Sequence, residues 1–275
     1  MLYLVPTPIG NLEDITLRSL RVLKKADCIF AEDTRHTLGL LNHFDIRVPL
    51  YACHQHNERE CAQKIIDLLE QGKEIALVSD AGMPGISDPG HIVVQTVIES
   101  DLPFTVLPGA SAATTALVLS GLPCDQFVFM GFLPRGKKQR NTMLAQLQSE
   151  VRTTILYESP YRLHTTLLEL AQALDNREAA VCRELTKMHE ECRRGSLQAL
   201  ADHYRDQVKG ECVLLIHGAN PDSICPEESE ETLLQAMKDW MAKGEKAKDA
   251  AKRVATASIS ANQLYQLYLK QKSSL

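Results

Sequence analysis

Ile75-Ala76-Leu77-Val78-Ser79-Asp80-Ala81-Gly82-Met83-Pro84-Gly85-Ile86-Ser87-Asp88-Pro89-Gly90 is a short apolar run that stops at a polar turn rich in glycine and proline, with a helix-period segment beginning near Ile92. An apolar run this short, bounded by such a turn, reads as a strand buried on both faces. A strand feeding a helix is half of a β-α unit, and open α/β sheets bind their ligands at the carboxyl ends of their strands. The polar groups and free backbone N–H groups of the turn suit a nucleoside's ribose and the charged ends of an amino acid. Asp88 followed by Pro89 has the pattern of a helix N-cap with proline at the first helical position. Asp88 is therefore assigned to the cap and Asp80 to the pocket.

The same alternation extends outward from this stretch. Further strands are expected at 2–6, 27–32, 48–53 and 104–107, with helices at 17–25, 58–71, 92–100 and 111–119. Together they make an N-terminal α/β domain over 1–121. After Gly121-Leu122-Pro123 a second α/β domain spans 122–218, with strands at 126–132, 153–158, 179–184 and 211–217 and helices at 139–149, 161–174 and 196–206. Between 182 and 198 the β-α rhythm lapses, which predicts antiparallel pairing and a mixed sheet. The polar, proline-interrupted segment 219–230 reads as a linker. From 231 to 275 a helical C-terminal domain of about three short helices is expected, the last carrying Leu264, Tyr265, Leu267, Tyr268 and Leu269 on its apolar side.

Composition sets limits on this reading. A chain of 275 residues, 44% hydrophobic and 24% charged, can bury a core, which excludes disorder as the default. A net charge of -5 excludes binding to nucleic acid through an overall basic surface, so any such site is regional. Basic residues do concentrate over 237–275, with eight Lys or Arg against three Asp or Glu. Met1-Leu2-Tyr3-Leu4-Val5-Pro6 enters a strand with no leader pattern, no segment has transmembrane length, and the eight cysteines are scattered without a C-x-x-C pair. The expectation is a cytoplasmic protein with no membrane contact.

Two more turns share the character of the first. Pro6-Thr7-Pro8-Ile9-Gly10-Asn11 ends the first strand on two prolines and a glycine, which lets backbone approach a ligand or simply turns the chain tightly. Leu107-Pro108-Gly109-Ala110-Ser111-Ala112-Ala113 leads into a helix of small residues, which suits close packing and also leaves room for a flat ring.

Pro6-Thr7-Pro8-Ile9-Gly10-Asn11-Leu12, Ala31-Glu32-Asp33-Thr34-Arg35, Ser79-Asp80-Ala81-Gly82, Tyr157-Glu158-Ser159-Pro160, Arg183-Glu184-Leu185-Thr186-Lys187 and Lys209-Gly210-Glu211 occur in order along the chain. In these motifs, from about 2 to 270, the chain resembles the tetrapyrrole methylase superfamily, and within it the branch that 2'-O-methylates a cytidine ribose of 16S ribosomal RNA. It departs from that pattern at Gln55, Met83 and His91. The resemblance implies two α/β domains with S-adenosylmethionine folded into the cleft between them, a homodimer, and the small ribosomal subunit or its RNA as partner. It implies cofactor contacts from Pro8, from Ser79, Asp80, Ala81, Gly82 and Ile86, and from Ser111 and Ala112. Tyr157, Leu185 and Glu211 complete that set from the second domain.

A ribose hydroxyl is weakly acidic, so a proton acceptor beside it would help the transfer. Asp33 or His56 suits that role and Arg35 suits a phosphate, while the competing reading makes Asp33 a helix cap and His56 a solvated loop residue. His54-Gln55-His56 lacks the further ligands a zinc site needs, so no metal is expected. Arg135-Gly136-Lys137-Lys138-Gln139-Arg140 puts four positive charges in six residues and, with Lys252 and Arg253 ahead of the last helix, suits RNA phosphates. Solvated surface and a bundle closing a dimer are the plainer readings of those two segments. A tetrapyrrole C-methyltransferase and a non-catalytic RNA-binding assembly protein are the rival functions. The first wants a broad apolar trough, and the second binds cofactor without turnover.

Overall fold

A computed structural model describes residues 1–206, 208–220, 230–255 and 259–273. The first sheet contains β1 (Leu2–Leu4), β2 (Cys28–Ala31), β3 (Leu50–Ala52), β4 (Ile75–Val78) and β5 (Phe104–Val106), in the order β3-β2-β4-β1-β5. Every pairing in it is parallel. Alternate residues of the central strands enter opposite cores. Leu2, Leu4, Phe30, Ile75 and Leu77 face one side, and Val5, Ile29, Ala31, Ala76 and Val78 the other. Burial on both faces is why these strands read as continuous apolar runs rather than as alternating ones.

The helices of this half are α1 (Leu17–Lys25), α2 (Thr34–His43), α3 (Glu58–Glu70), α4 (His91–Glu99) and α5 (Ala112–Ser120). Sequence periodicity does not predict α2, because only Thr37 and Leu41 of its residues are buried and they make too short an apolar stripe. From β1 the chain leaves toward β2 on one side, whereas from β4 it crosses β1 to reach β5. The loops after β1 and β4 therefore stand side by side at the strand ends, the crevice position of an open α/β sheet.

One assignment is corrected. Asp88 is not the cap of α4, which begins at His91 behind Gly90 at φ 141°, a backbone conformation only glycine adopts with ease. The turn runs past Asp88 because the Gly85 N–H reaches the Pro89 carbonyl at 3.1 Å. The buried Glu58 of α3 covers the helix end instead, accepting from the N–H groups of Gly90 at 2.7 Å and Ile92 at 2.9 Å. Glu58→Ala is expected to destabilise the fold by about 2 kcal/mol, the scale of two buried charge-assisted hydrogen bonds left partly unmade. Thermal unfolding checks this, and an unchanged midpoint rejects the capping role.

The second sheet contains β6 (Phe127–Phe132), β7 (Thr153–Glu158), β8 (Glu178–Arg183), β9 (Glu191–Ser196) and β10 (Cys212–Ile216), in the order β6-β7-β10-β8-β9. The β6-β7 pair is parallel and the others are antiparallel, so the sheet is mixed as its sequence predicts. Helices α6 (Lys137–Ser149), α7 (Leu163–Ala173) and α8 (Leu197–His203) supply one apolar face. The other face is taken by α5, whose Ala113, Ala116 and Leu117 meet Ile155, Ala180, Val213 and Leu215. Small residues on α5 allow that close approach. The two sheets accordingly lie in one compact unit, Met1–Gly218.

Ala219–Leu275 is a second compact unit. Its helices α9 (Glu230–Ala242), α10 (Ala247–Val254) and α11 (Ala261–Ser273) enclose Leu233, Met237, Ala250, Ala251 and Leu264. Most of the expected linker, 221–229, and residues 256–258 of the expected helical domain lie outside the described residues. No helix among the described residues is long and apolar enough to cross a membrane.

Candidate active site

The loops after β1 and β4 are joined backbone to backbone. Thr7 and Gly82 exchange N–H···O bonds of 3.0 Å in both directions, and the Thr7 hydroxyl donates to the Ser79 carbonyl at 3.1 Å. A third loop, after β2, is pinned to the second where Asp80 Oδ1 accepts from the Asp33 N–H at 2.9 Å. Three strand ends are thus fixed around one opening. The second sheet closes it, because the loop from β8 to β9 lies against Gly10 and the Asn11 N–H donates to Thr186 Oγ1 at 3.0 Å.

The opening holds a cavity of about 450 Å³, within the usual range for a small-molecule site. Asp80, Ala81, Gly82 and Ile86 line it from the β4 loop, Ser111 and Ala112 from the start of α5, and Tyr157 and Glu211 from the second sheet. These are eight of the eleven positions that the resemblance implies for the cofactor. Pro8 and Ser79 line a second cavity of about 520 Å³, which shares Ile9, Asp80, Ala81 and Glu211 with the first. Leu185 lines neither cavity; it is buried in the apolar cluster around α5 and backs the wall.

The first cavity also contains residues that sequence reasoning placed elsewhere or passed over. Asp88, assigned above to a cap, lines it, as do Glu32, Phe132 and Glu158. Phe132 and Tyr157 pack edge to face with centroids 5.7 Å apart, giving an apolar side to a wall that is otherwise acidic. Five carboxylates line the cavity and, among the described residues, no Lys, Arg or His does. Glu158 is satisfied within the protein, by the Ser159 N–H at 2.8 Å and the Thr166 hydroxyl at 2.7 Å. The others crowd one another. Burial, reinforced by the charge of Glu32, pushes the Asp88 carboxyl up to about 7. Burial and then Asp80 raise Glu32 as well. Such a wall stores a penalty that a bound cation relieves.

Of the three candidates for chemistry, Asp33 and Arg35 are brought together and His56 stands apart from them. Asp33 is the N-cap of α2, accepting from the Arg35 N–H at 2.8 Å, and its carboxylate also grips the Arg35 side chain through Nε at 3.2 Å and Nη2 at 2.8 Å. That grip holds Asp33 well below the usual carboxylate range, which makes it a weak proton acceptor. Arg35 lines the second cavity. His56 is exposed on its loop, 6.0 Å from His54, and lines neither cavity.

The basic candidates also divide. Arg135, Lys137 and Lys138 are exposed at the start of α6. Arg140, from the same run, is turned inward and held by Glu169, by Thr166 Oγ1 and by the Pro134 carbonyl, so its placement on an RNA surface is corrected. In the C-terminal unit both candidates are exposed: Lys252 lies 3.8 Å from Asp249, and Arg253 pairs with Glu245 at 2.8 Å and lies 4.4 Å from the Trp240 ring centre.

The model of the Tetrapyrrole (Corrin/Porphyrin) Methylases matches residues 1–201, most of the compact unit that holds both cavities. The chain belongs to this family. Curated relatives named "Ribosomal RNA small subunit methyltransferase I" align over nearly the whole chain. That of Halalkalibacterium halodurans is 47% identical over 97% of this chain and 94% of its own. Those of Synechocystis and Bacillus subtilis are 45% and 43% identical, covering 98% of this chain and 98% and 94% of theirs. Solved structures share the fold at greater sequence distance. A diphthine synthase superposes with TM-score 0.61 at 16% identity, covering 79% of this chain and 89% of its own. The uroporphyrin-III C-methyl transferase of Thermus thermophilus, solved with S-adenyl homocysteine, superposes with TM-score 0.54 at 17% identity, covering 78% and 91%.

Proposed function

We propose that this chain transfers a methyl group from S-adenosylmethionine to a ribose 2'-hydroxyl, that of a cytidine, in the 16S ribosomal RNA of the small subunit. The observation that carries the reading is the acidic cavity between the two sheets, in a chain 43–47% identical to relatives named for methylation of that RNA. The residues present fit the cofactor. A carboxylate-rich wall to which none of the described residues adds a basic side chain matches a sulfonium and an ammonium, and Ala81, Gly82, Ser111 and Ala112 leave space for a flat base. The Phe132 and Tyr157 rings cover its apolar parts.

S-adenosylmethionine supplies a methyl group on a positively charged sulfur, ready for in-line displacement. The protein's part is alignment and exclusion of water. The Thr7–Gly82 bridge and the Asp80–Asp33 hydrogen bond hold three loops in fixed register, so the wall does not reorganise when the acceptor arrives. Arg135, Lys137, Lys138, Lys252 and Arg253 are the proposed phosphate contacts, local positive charge on a chain of net charge -5. We read the protein as cytoplasmic and as a homodimer, for which exposed Leu17, Val118 and Phe127 offer apolar surface.

The test is incubation with methyl-labelled S-adenosylmethionine and, separately, naked 16S RNA and small subunits lacking the modification, followed by digestion and mapping. Label on a ribose 2'-oxygen of a cytidine establishes the reading, and the sample that carries it identifies the substrate state. No label on either RNA sample but label on a tetrapyrrole supplied in a third incubation, or cofactor binding with no label in any of the three, replaces it with one of the two rivals.

A further inference from the structure

The two cavities are separate spaces that meet at Ile9, Asp80, Ala81 and Glu211. We propose that the second cavity is the acceptor subsite, that it takes a single ribonucleotide turned out of its RNA strand, and that Glu211 accepts the proton of the ribose hydroxyl there. This rests on the methyl-transfer reading above and adds to it the place and the group.

Geometry leads to the shared wall. With the cofactor in the first cavity and the acceptor in the second, the methyl passes only where the two spaces join. Of the four residues at that join, only Asp80 and Glu211 can accept a proton. Asp80 is engaged, since its Oδ1 holds the Asp33 N–H at 2.9 Å and with it the β2 loop. Glu211 takes part in the fold through its main-chain carbonyl, which accepts from the Glu184 N–H at 3.3 Å. The residue is exposed, and among the described residues none donates a hydrogen bond to its carboxylate.

The second cavity has the features of a ligand site in its own right. Thr37 lines it and is 2% exposed, yet its buried hydroxyl has no hydrogen-bond partner. An orphaned hydroxyl is costly unless something else satisfies it, and the oxygens and hydroxyls of a nucleotide can do so. Arg35 lines the same space with its side chain 90% exposed. Asp33 occupies Nε and Nη2, which fixes the guanidinium and leaves the Nη1 donors for a phosphate oxygen. A volume of about 520 Å³ admits one nucleotide rather than a helix, so the acceptor enters as an unstacked residue.

The step then balances. The ribose 2'-oxygen forms a bond to the methyl carbon as the carbon–sulfur bond breaks, the sulfur keeps the electron pair and loses its charge, and the hydroxyl proton passes to the Glu211 carboxylate. Asp33 is a positioning residue for Arg35 in this scheme.

Three measurements on the full-length chain test it: single-turnover methylation of unmodified small subunits, calorimetric affinity for S-adenosylmethionine, and subunit binding without cofactor. Glu211→Gln is expected to slow methyl transfer by about 100-fold or more, far beyond the loss of cofactor affinity, about tenfold at most, that follows from removing one carboxylate of the shared wall, and to leave subunit binding unchanged. Arg35→Ala is expected to weaken subunit binding by about tenfold and to leave cofactor affinity alone. A Glu211→Gln variant that transfers methyl at the wild-type rate, or that loses cofactor affinity in proportion to its rate, overturns the assignment of Glu211. Undiminished subunit binding by Arg35→Ala overturns the phosphate contact. Failure of the wild-type chain to label the RNA overturns the methyl-transfer reading and this proposal with it, whereas label from wild type and Glu211→Gln alike overturns the proposal alone.

Discussion

Asp88→Asn is expected to raise the melting temperature of the free protein near pH 8 while weakening its affinity for S-adenosylmethionine by about tenfold, and both differences are expected to shrink below about pH 6. The cause is the acidic wall. Asp88 is pushed up to about 7 by burial first and then by Glu32, with Asp80 and Glu211 adding to the repulsion and the Ser79 hydroxyl opposing it. In the unfolded chain the same carboxyl titrates near the ordinary value of about 4. Between those two values the folded state binds more protons than the unfolded one, so stability falls as pH rises through that window and is flat above it. Asparagine cannot ionise and escapes the loss, which is why the stabilisation appears at high pH and vanishes at low pH. Affinity for a cation runs the other way, because only the ionised carboxyl attracts it. Wild-type affinity should therefore rise from about pH 6 to about pH 8, and that of Asp88→Asn should rise less. Calorimetry at several pH values, paired with thermal scans of the free protein, reads both arms. A wild-type affinity that does not change over that interval removes Asp88 from the cofactor wall. Stability given up at a binding site in this way is a familiar exchange.

How far the sequence carries is clear from individual residues. The strands of the first sheet are legible because they are buried on both faces, and their apolar runs end at glycine and proline turns that can be read without a structure. The mixed second sheet is legible from the lapse in β-α rhythm that becomes the β8-β9 hairpin. Helix α2 is not, because its stripe is two residues long. Asp88 misleads for a different reason. Asp-Pro-Gly is a sound local cap signal, but the cap comes from Glu58, thirty-two residues earlier and on another helix. Arg140 misleads in the same way, since three neighbours in its basic run stay exposed while Glu169 draws it inward. Local pattern fixes what a residue can do, and a partner remote in sequence decides what it does. The second cavity is the extreme case. Arg35 and Thr37 come from α2 in the first half of the chain and Glu211 from the residue before β10 in the second, with no common motif, so only the folded chain assembles them.

Gly10→Ala is expected to reduce methyl transfer by about 100-fold and to cost about 1–3 kcal/mol of stability. The requirement for glycine here is one of space. A methyl group at position 10 would lie 2.6 Å from the Leu185 carbonyl oxygen, 2.6 Å from Lys187 Cγ and 2.8 Å from Thr186 Oγ1. The Lys187 side chain can move, but the Leu185 oxygen is main chain in the loop from β8 to β9, so relief requires the β1 loop and that hairpin to separate. Separation breaks the bond from the Asn11 N–H to Thr186 Oγ1 and shifts Ile9, which lines both cavities. The cofactor wall and the acceptor wall then move relative to each other, and in-line displacement is sensitive to misplacement of about 1 Å. Rate should fall far more than cofactor affinity, because most of the first cavity, from Asp80 to Ser111, does not touch this contact. Single-turnover rates beside calorimetric affinities separate the two effects. Equal losses in both would mean that Gly10 shapes the cofactor cavity alone, and an active Gly10→Ala enzyme would mean that the hairpin yields without disturbing the join between the two spaces.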